Sequence, residues 1–367
     1  MMQPRPIDFA DMPASTERTQ EDIEMNATFM KAARGVCVFA MMFLLVSIAM
    51  AQPAAPRIVR AANDFLSTLD DKQRQRVLFA FDDEQQRVRW SNLPIKMVPR
   101  SGVAMGELNA TQRSAALALV AAALSRSGFE KVQQIVEGDE VLKANEGNNP
   151  MFGKDLFYIS ILGRPSEREP WMLQFGGHHL AVNVTIAGER GVLTPTLTGA
   201  QPALYTINGK TIRPLGQEND KAFALLNALD ESQRRQAILN YRVADLVLGP
   251  GQDGKTIQPE GLKASGMNEQ QRTMLMELIA EWAGIVHESA AAARIDEIKA
   301  GLGDTWFAWS GPTTVTSGRN GTSYYRIQGP KLVIEYAPQP LGGDLSMHVH
   351  TIYRDPTNDY GRKPAAK

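Results

Sequence analysis

The chain has 367 residues, a length that fits one large domain or two ordinary ones. It carries 39 Lys and Arg against 40 Asp and Glu, a formal net charge of −1. Such a balance argues against a nucleic-acid-binding protein that depends on broad electrostatic attraction, and the sequence contains no G-x-S-x-G nucleophile elbow.

The N-terminal segment predicts export. Two basic residues precede an apolar run that ends at Ala49-Met50-Ala51, so residues 30–51 have the three regions of a secretory signal peptide. Translation is expected to start at Met30, which makes residues 1–29 an upstream mis-annotated extension. The alternative is a polar tail on a membrane-anchored protein. The only cysteine lies within the signal, and we expect a periplasmic or secreted mature chain without membrane attachment.

A short motif recurs four times and predicts four helix starts. Asp or Asn is followed three residues later by Gln, a capping-box pattern in which the two residues satisfy each other's backbone N–H groups. Apolar residues at helical spacing follow each copy. The four predicted N-caps are Asp70, Asn109, Asp230 and Asn268.

The spacing of these caps predicts an internal duplication. The caps of each pair are 39 and 38 residues apart, and the pairs are offset by 160 and 159 residues. Strand-like segments follow each pair: 156–163 and 171–186, then 305–311 and 323–338. We therefore predict an α+β fold with two halves, 52–187 and 220–367, each a helical pair followed by antiparallel strands. Residues 188–219 are expected to form a hairpin-rich connector.

Four of the five histidines fall in two clusters, His178-His179 and His348-x-His350. Both clusters lie in predicted strands, where residues two apart share a face, so His348 and His350 can reach one ion. An ideal strand would present only one of His178 and His179, and His179 has the more polar face; a bulge or turn at the preceding glycines would admit both. We predict a shared metal site where the halves meet. The alternative is half-buried histidines bonded to backbone groups.

Two carboxylates are candidates for a catalytic role beside the histidines. Glu335 lies mid-strand between apolar residues, where a carboxylate needs a partner such as a metal ion or a ligating histidine. Asp355 follows the second cluster and can orient a histidine, although Asp355-Pro356 also fits a turn. His287 is expected to pack or cap near the core. The aromatic residues of the last third are expected to be core, with a few free to stack on a sugar.

Four pieces of the sequence carry a family resemblance: FGGHHLAVNVT, TWFAWSG, SYYRIQGPKLVIEY and HVHTIYRDPTNDYG. Together they resemble the bacterial and fungal family catalogued as domain of unknown function 3500. The resemblance covers nearly the whole mature chain. It supports the extent of the domain and the salience of the histidines, and it implies no particular reaction.

These residues favour an exported metalloenzyme with one transition-metal ion (Zn, Cu or Fe) held by His178, His179, His348 and His350. Zinc would imply hydrolysis, and copper or iron oxidative chemistry, on a small or carbohydrate-like substrate. Two alternatives stay open: a non-catalytic periplasmic metal-binding protein, and a metal-free carbohydrate- or peptide-binding module. No nucleic-acid partner is expected.

The export signal predicts a mature N-terminus at or near Gln52. Intact-mass spectrometry of protein recovered from the periplasm or the medium should give the mass of a chain that lacks residues 1–51. A recovered species that retains residues 36–50 would contradict the prediction.

Overall fold

The computed structural model describes residues 53–362, so the predicted signal and extension lie outside the described residues. These residues belong to one unit with nine α-helices and a large mixed sheet. The helices are α1 (Ala54–Thr68), α2 (Asp71–Val77), α3 (Glu84–Arg87), α4 (Ala110–Ala123), α5 (Arg126–Asn145), α6 (Gly216–Ala228), α7 (Glu231–Ala237), α8 (Glu269–Ala283) and α9 (Glu288–Ala300). Within residues 53–362, no helix has the length and apolar character needed to cross a membrane.

Twelve strands form the large sheet, and two more form a separate hairpin. The strands are β1 (Leu78–Phe79), β2 (Val103–Ala104), β3 (Tyr158–Leu162), β4 (Trp171–Gly177), β5 (Leu180–Ala187), β6 (Arg190–Val192), β7 (Thr196–Ala200), β8 (Tyr205–Ile207), β9 (Lys210–Ile212), β10 (Leu262–Lys263), β11 (Trp306–Ser310), β12 (Tyr324–Gly329), β13 (Leu332–Pro338) and β14 (Val349–Arg354). The sheet runs β1-β3-β4-β5-β7-β14-β13-β12-β11-β10, with β2 on β3 and β6 on β5. Among the strands of residues 53–362, β1 and β3 are the one parallel pair, and an isolated parallel bridge joins Ile238 to Trp309 of β11.

The antiparallel pair β7 and β14 lies at the centre of the sheet. It joins segments far apart in the chain: the hydroxyl groups of Thr198 and Thr351, 153 residues apart, form a hydrogen bond of 2.7 Å. The sequence analysis assigned residues 188–219 to a connector. The β8–β9 hairpin fits that description, but β7 pairs with both β5 and β14. The sequence of β7, TLTGA, is a short run of small and polar residues, so the sequence alone does not indicate a central strand.

The two faces of the sheet are covered differently. Helices pack on one face, where alternating strand residues such as Val182 and Val184 enter the main core with Trp282 of α8. A smaller cluster on the other face includes Trp90, Leu197 and Ile352. Two segments without helix or strand supply much of its cover: loop A (residues 88–102) and loop B (residues 239–261). Both histidine clusters border this second face.

All four predicted N-caps are confirmed. Asp70, Asn109, Asp230 and Asn268 each form a complete capping box with the Gln three residues later.

The glutamines of these boxes also bond to one another, which no single motif predicts. Gln112 Nε2 donates to Gln73 Oε1 at 2.8 Å and to the Thr68 carbonyl at 2.9 Å. Gln271 Nε2 repeats both bonds in the second pair, to Gln233 Oε1 at 2.8 Å and to a carbonyl at the end of α6. One amide therefore caps its own helix, contacts the partner box and holds the end of a neighbouring helix.

The substitution Gln271→Ala should lower the free energy of unfolding by about 1–2 kcal/mol, because it removes a cap and leaves the Ala228 carbonyl without its donor. Urea denaturation followed by circular dichroism measures the change. Gln270→Ala is the matched control, since Gln270 is the exposed amide next in sequence and should cost less than about 0.5 kcal/mol. Equal losses in the two variants would refute the linking role of Gln271.

Candidate metal centre

His178 and His179 form the two-residue turn between β4 and β5, since Gly177 pairs with Leu180. The expectation that they lie in a strand is therefore wrong, the alternative of a turn is correct, and the argument from alternating faces does not apply. His179 adopts a φ of 61°, a left-handed conformation that costs a non-glycine residue about 1 kcal/mol. Two backbone bonds hold it there: its N–H donates to the Asn92 carbonyl at 3.1 Å, and its carbonyl accepts from Gly199 at 2.7 Å.

His348 and His350 lie at the start of the central strand β14. His350 pairs with Gly199 of β7 on one side and with Ala337 of β13 on the other. His348 is the last residue of loop C (residues 339–348), two positions earlier on the same face. The prediction that these two side chains share a face is confirmed, because their Nε2 atoms are 3.1 Å apart.

The side chains of His179, His348 and His350 converge. His348 Nε2 lies 2.9 Å from His179 Nε2, and one nitrogen from each ring lies within 4.8 Å of the others. All three residues are buried, with at most 5% of their surface exposed. Ligand atoms bound tetrahedrally at 2.0–2.1 Å from zinc are about 3.3 Å apart. Two of the three separations, 2.9 and 3.1 Å, are slightly shorter than this and the third is at most 4.8 Å, so a small adjustment of the rings would make room for one ion.

The protonation state of His348 favours a cation between the rings. Its Nδ1 lies 3.1 Å from the carbonyl oxygen of Leu341. Because a carbonyl only accepts, Nδ1 carries the proton of the neutral ring and Nε2 presents a bare lone pair. One lone pair cannot accept well from both His179 and His350. A metal ion between the three nitrogens would satisfy all of them, and the Leu341 carbonyl would act as the outer partner that fixes a ligand's orientation.

Burial keeps these imidazoles neutral at ordinary pH. It lowers the pKa of His348 to about 4, with repulsion from His350 adding to the effect. The pKa of His179 lies well below its usual value, first because of burial and then because of the neighbouring histidines. Burial also lowers the pKa of His350, although Asp245 opposes that shift. Only neutral imidazole has a lone pair for a metal, so the cluster is ready to bind.

His178 lies beside the cluster and has a different partner. Its ring stacks on that of His179 with centroids 3.7 Å apart, and its Nδ1 is 2.6 Å from Asp139 Oδ1. The other oxygen of Asp139 accepts from the Gly153 N–H at 2.7 Å. The prediction of His178 as a ligand therefore has no support in its contacts. A carboxylate orients it instead.

Three partners of the histidines escaped the sequence analysis: Asp139, Asn92 and Asp245. The Asn92 amide nitrogen lies 3.3 Å from His350 Nδ1, and Asp245 Oδ1 lies 3.8 Å from the same atom. Neither residue stands out in its loop. Asp139 had a readable signal, because it lies on the buried stripe of α5 between an isoleucine and a leucine. A carboxylate in such a stripe requires a polar partner.

Glu335 does not join the histidines. Its Oε1 accepts from the Val247 N–H at 2.8 Å and from the Tyr324 hydroxyl at 2.6 Å, while Oε2 accepts from the Leu248 N–H at 2.7 Å. The expectation that it needs a partner is correct, but the partner is loop B. Glu335 therefore anchors that loop, and its contacts do not support a catalytic role.

Asp355 is at the far end of β14, five residues from His350 and so roughly 16 Å away along the strand. Its Oδ1 accepts from the N–H and hydroxyl of Thr357, and its Oδ2 pairs with Arg294 at 3.0 Å. The turn interpretation is correct, and an orienting role toward the histidines is wrong. Asp355 instead lines a cavity of about 510 Å³ together with Arg294 and Lys331.

Two further residues or motifs have structural explanations. His287 occupies the N-cap position of α9 without a side-chain cap bond and is fully buried, which confirms the expectation that it packs near the core. Residues 249–256, GPGQDGKT, have the spacing of a phosphate-binding P-loop, which the sequence analysis overlooked. Such a loop needs a helix directly after it, and in loop B the segment leads to β10 without one.

Comparison with known proteins gives a family. Residues 51–362 match the family described as "Protein of unknown function (DUF3500)". No curated protein and no solved structure matches the chain. The match spans most of the chain and includes both histidine clusters, which confirms the resemblance noted in the sequence. The chain belongs to the DUF3500 family.

Proposed function

We propose that the protein is an exported, periplasmic or secreted metalloenzyme with a mononuclear centre held by His179, His348 and His350. The observation that carries the proposal is the convergence of three buried imidazoles at distances that neutral rings cannot satisfy among themselves. Imidazole ligands without sulfur suit zinc, copper or iron. Zinc would supply hydrolytic chemistry, and copper or iron would supply oxidative chemistry.

The number of ligands favours catalysis over a structural role. Structural zinc sites are normally closed by four protein ligands, whereas catalytic sites keep three and leave a position open. Among the described residues, the cluster offers three ligands. Its burial excludes bulk water while loops A, B and C border it. A closed structural or storage site is the alternative, and it would need a fourth ligand.

His178 is the residue we assign to the substrate rather than to the ion. Asp139 fixes its Nδ1, so the ring has one orientation and its Nε2 is the atom left for other contacts. Its stacking on His179 places it directly beside a proposed ligand. A histidine oriented by a carboxylate in this way can exchange a hydrogen bond or a proton with a bound molecule.

We also infer that the chain arose by duplication of a half, as the cap spacing predicts. The linked glutamines Gln73–Gln112 and Gln233–Gln271 support this inference. So do the two hairpins with two-residue turns, β4–β5 and β12–β13, and the parallel pairing of segments after α2 and α7 with β3 and β11. The candidate centre does not repeat, because Lys331 stands in the second turn where His179 stands in the first.

Purified protein incubated with Zn(II) or Co(II) and then desalted should retain about one ion per chain, because three neutral imidazoles form one site. His348→Ala should weaken binding by more than about 100-fold, beyond the cost of losing an outer partner. Elemental analysis and competition with a chelator measure both effects.

The matched control is His287→Ser, which removes a buried histidine outside the cluster and introduces a residue favoured at the N-cap position. It should bind metal as the wild type does. Addition of azide should change the visible spectrum of the Co(II) protein if a coordination position is open. Substoichiometric metal in the wild type would refute the proposed metal centre. A Co(II) spectrum that azide leaves unchanged would favour the closed structural site.

Metal retention should fall as the pH is lowered, with a midpoint below 6.5. The direction of this change follows from the lowered pKa values. Protons compete with the metal ion for an imidazole only at a pH near or below its pKa, and the pKa of His348 is about 4 before metal binds. Equilibrium dialysis against Zn(II) between pH 4 and pH 8 gives the midpoint. A midpoint above 6.5 would contradict the burial of the cluster.

A further inference from the structure

We infer that the proposed metal centre serves a substrate with an aliphatic or aromatic portion, which lies on an apolar rim formed by loops A, B and C. The inference rests on the proposed function and specifies its substrate class. The observation is a distribution of exposed apolar side chains. Among the described residues, the large hydrophobic side chains with more than a third of their surface exposed are Val88, Leu93, Met97, Tyr241, Val247 and Leu341.

All six belong to the three loops that contact the histidine cluster. Leu93 follows Asn92, whose amide contacts His350, and Val247 is two residues from Asp245, which lies near the same ring. Leu341 is the most exposed of the six at 72%, and its carbonyl oxygen lies 3.1 Å from His348 Nδ1. Exposed apolar residues scattered singly need no explanation, but Leu93, Val247 and Leu341 lie next to groups that contact the histidines, and apolar side chains beside one polar site mark a binding surface.

The backbone of the rim is fixed in place. Arg100 donates to the carbonyls of Leu93 at 2.8 Å and Gly177 at 3.2 Å, which ties loop A to the histidine turn. The buried carboxylate of Glu335 holds the N–H of Val247 in loop B. His348 itself holds Leu341 in loop C. Apolar side chains kept in water by a fixed backbone lose hydration without a large ordering cost when a ligand covers them.

The composition of the rim argues against a carbohydrate. Sugars stack on aromatic faces, and the three exposed apolar side chains next to the cluster, those of Leu93, Val247 and Leu341, are aliphatic. The aromatic residues of the last third, from which sugar stacking was considered, are mostly core: Trp309, Tyr324, Tyr325, Tyr336 and Tyr353 are at most 1% exposed. An apolar chain with a polar head that reaches the ion matches both parts of the site.

A homologous series of straight-chain hydroxamates tests the inference, because the hydroxamate chelates the metal and the chain samples the rim. Titration calorimetry of the zinc-loaded protein with members from acetohydroxamate to octanohydroxamate should show affinity rising about two- to fourfold per added methylene. Hexanohydroxamate should bind more tightly than gluconohydroxamate, which has the same number of carbons but bears hydroxyl groups.

The variants Leu93→Ser and Val247→Ser should flatten the dependence on chain length while leaving acetohydroxamate affinity unchanged, and Leu341→Ser should flatten it as well. All three side chains are exposed, so the fold should tolerate the changes. Ala292→Ser, at an exposed position on α9, is the control and should keep the wild-type slope. A flat series in the wild type, or gluconohydroxamate binding at least as well as hexanohydroxamate, would overturn the inference while the metal centre stands.

Two further readouts separate the inference from its premise. If elemental analysis finds no stoichiometric zinc, the proposed function fails. The rim is then tested in the metal-free protein by the fluorescence of 8-anilinonaphthalene-1-sulfonate, which Leu341→Ser must lower if the rim binds apolar ligands and leave unchanged if it does not. Sedimentation of the same variants addresses a second copy of the chain as the occupant: a dimer that Leu341→Ser dissociates would refute a substrate surface.

Discussion

The candidate centre depends on one backbone pairing, that of β7 with β14. His350 lies opposite Gly199 in this pair, and the Gly199 N–H also holds the carbonyl of His179. A Cβ on Gly199 would lie 2.9 Å from the Val349 carbonyl oxygen and 3.2 Å from the His179 side chain. Glycine is therefore required there, because only a residue without a side chain lets the turn approach the strand. Histidines 169 residues apart meet through this approach.

Two charged side chains, the buried Glu335 of the sheet and the half-buried Arg100 of loop A, hold the loops around the centre. Glu335 is fully buried and accepts hydrogen bonds from the backbone N–H groups of Val247 and Leu248 in loop B. Arg100 is half-buried and donates to the backbone carbonyls of Ser91 and Leu93, and burial lowers its pKa to about 10. Burial of an ionisable group without such bonds costs free energy, so these bonds stabilise the positions of loops A and B. Glu335, which resembles a catalytic group in the sequence, thus holds a loop that borders the site.

Local signals were predictable from the sequence, and long-range ones were not. The capping boxes at Asp70, Asn109, Asp230 and Asn268 depend on residues three apart, so the pattern specified them fully. The spacing of His348 and His350 fixed their common face for the same reason. The position of β7 in the sheet could not be predicted, because TLTGA is short and its pairing partners lie elsewhere in the chain. The partner of a buried carboxylate is likewise a tertiary fact: Glu335 needed one, and only the fold shows that loop B supplies it.

The proposed duplication explains why one end of the central strand pair carries the centre. The turn at residues 178–179 and the turn at residues 330–331 occupy equivalent places in their hairpins, since Gly177 pairs with Leu180 and Gly329 with Leu332. The first turn supplies His179, whereas the second supplies Lys331, which lines the cavity of about 510 Å³ beside Arg294. A lysine ammonium has no lone pair for a metal. Divergence at the two turns therefore removes one of the three candidate ligands from the second hairpin, while both hairpins keep the same two-residue turn.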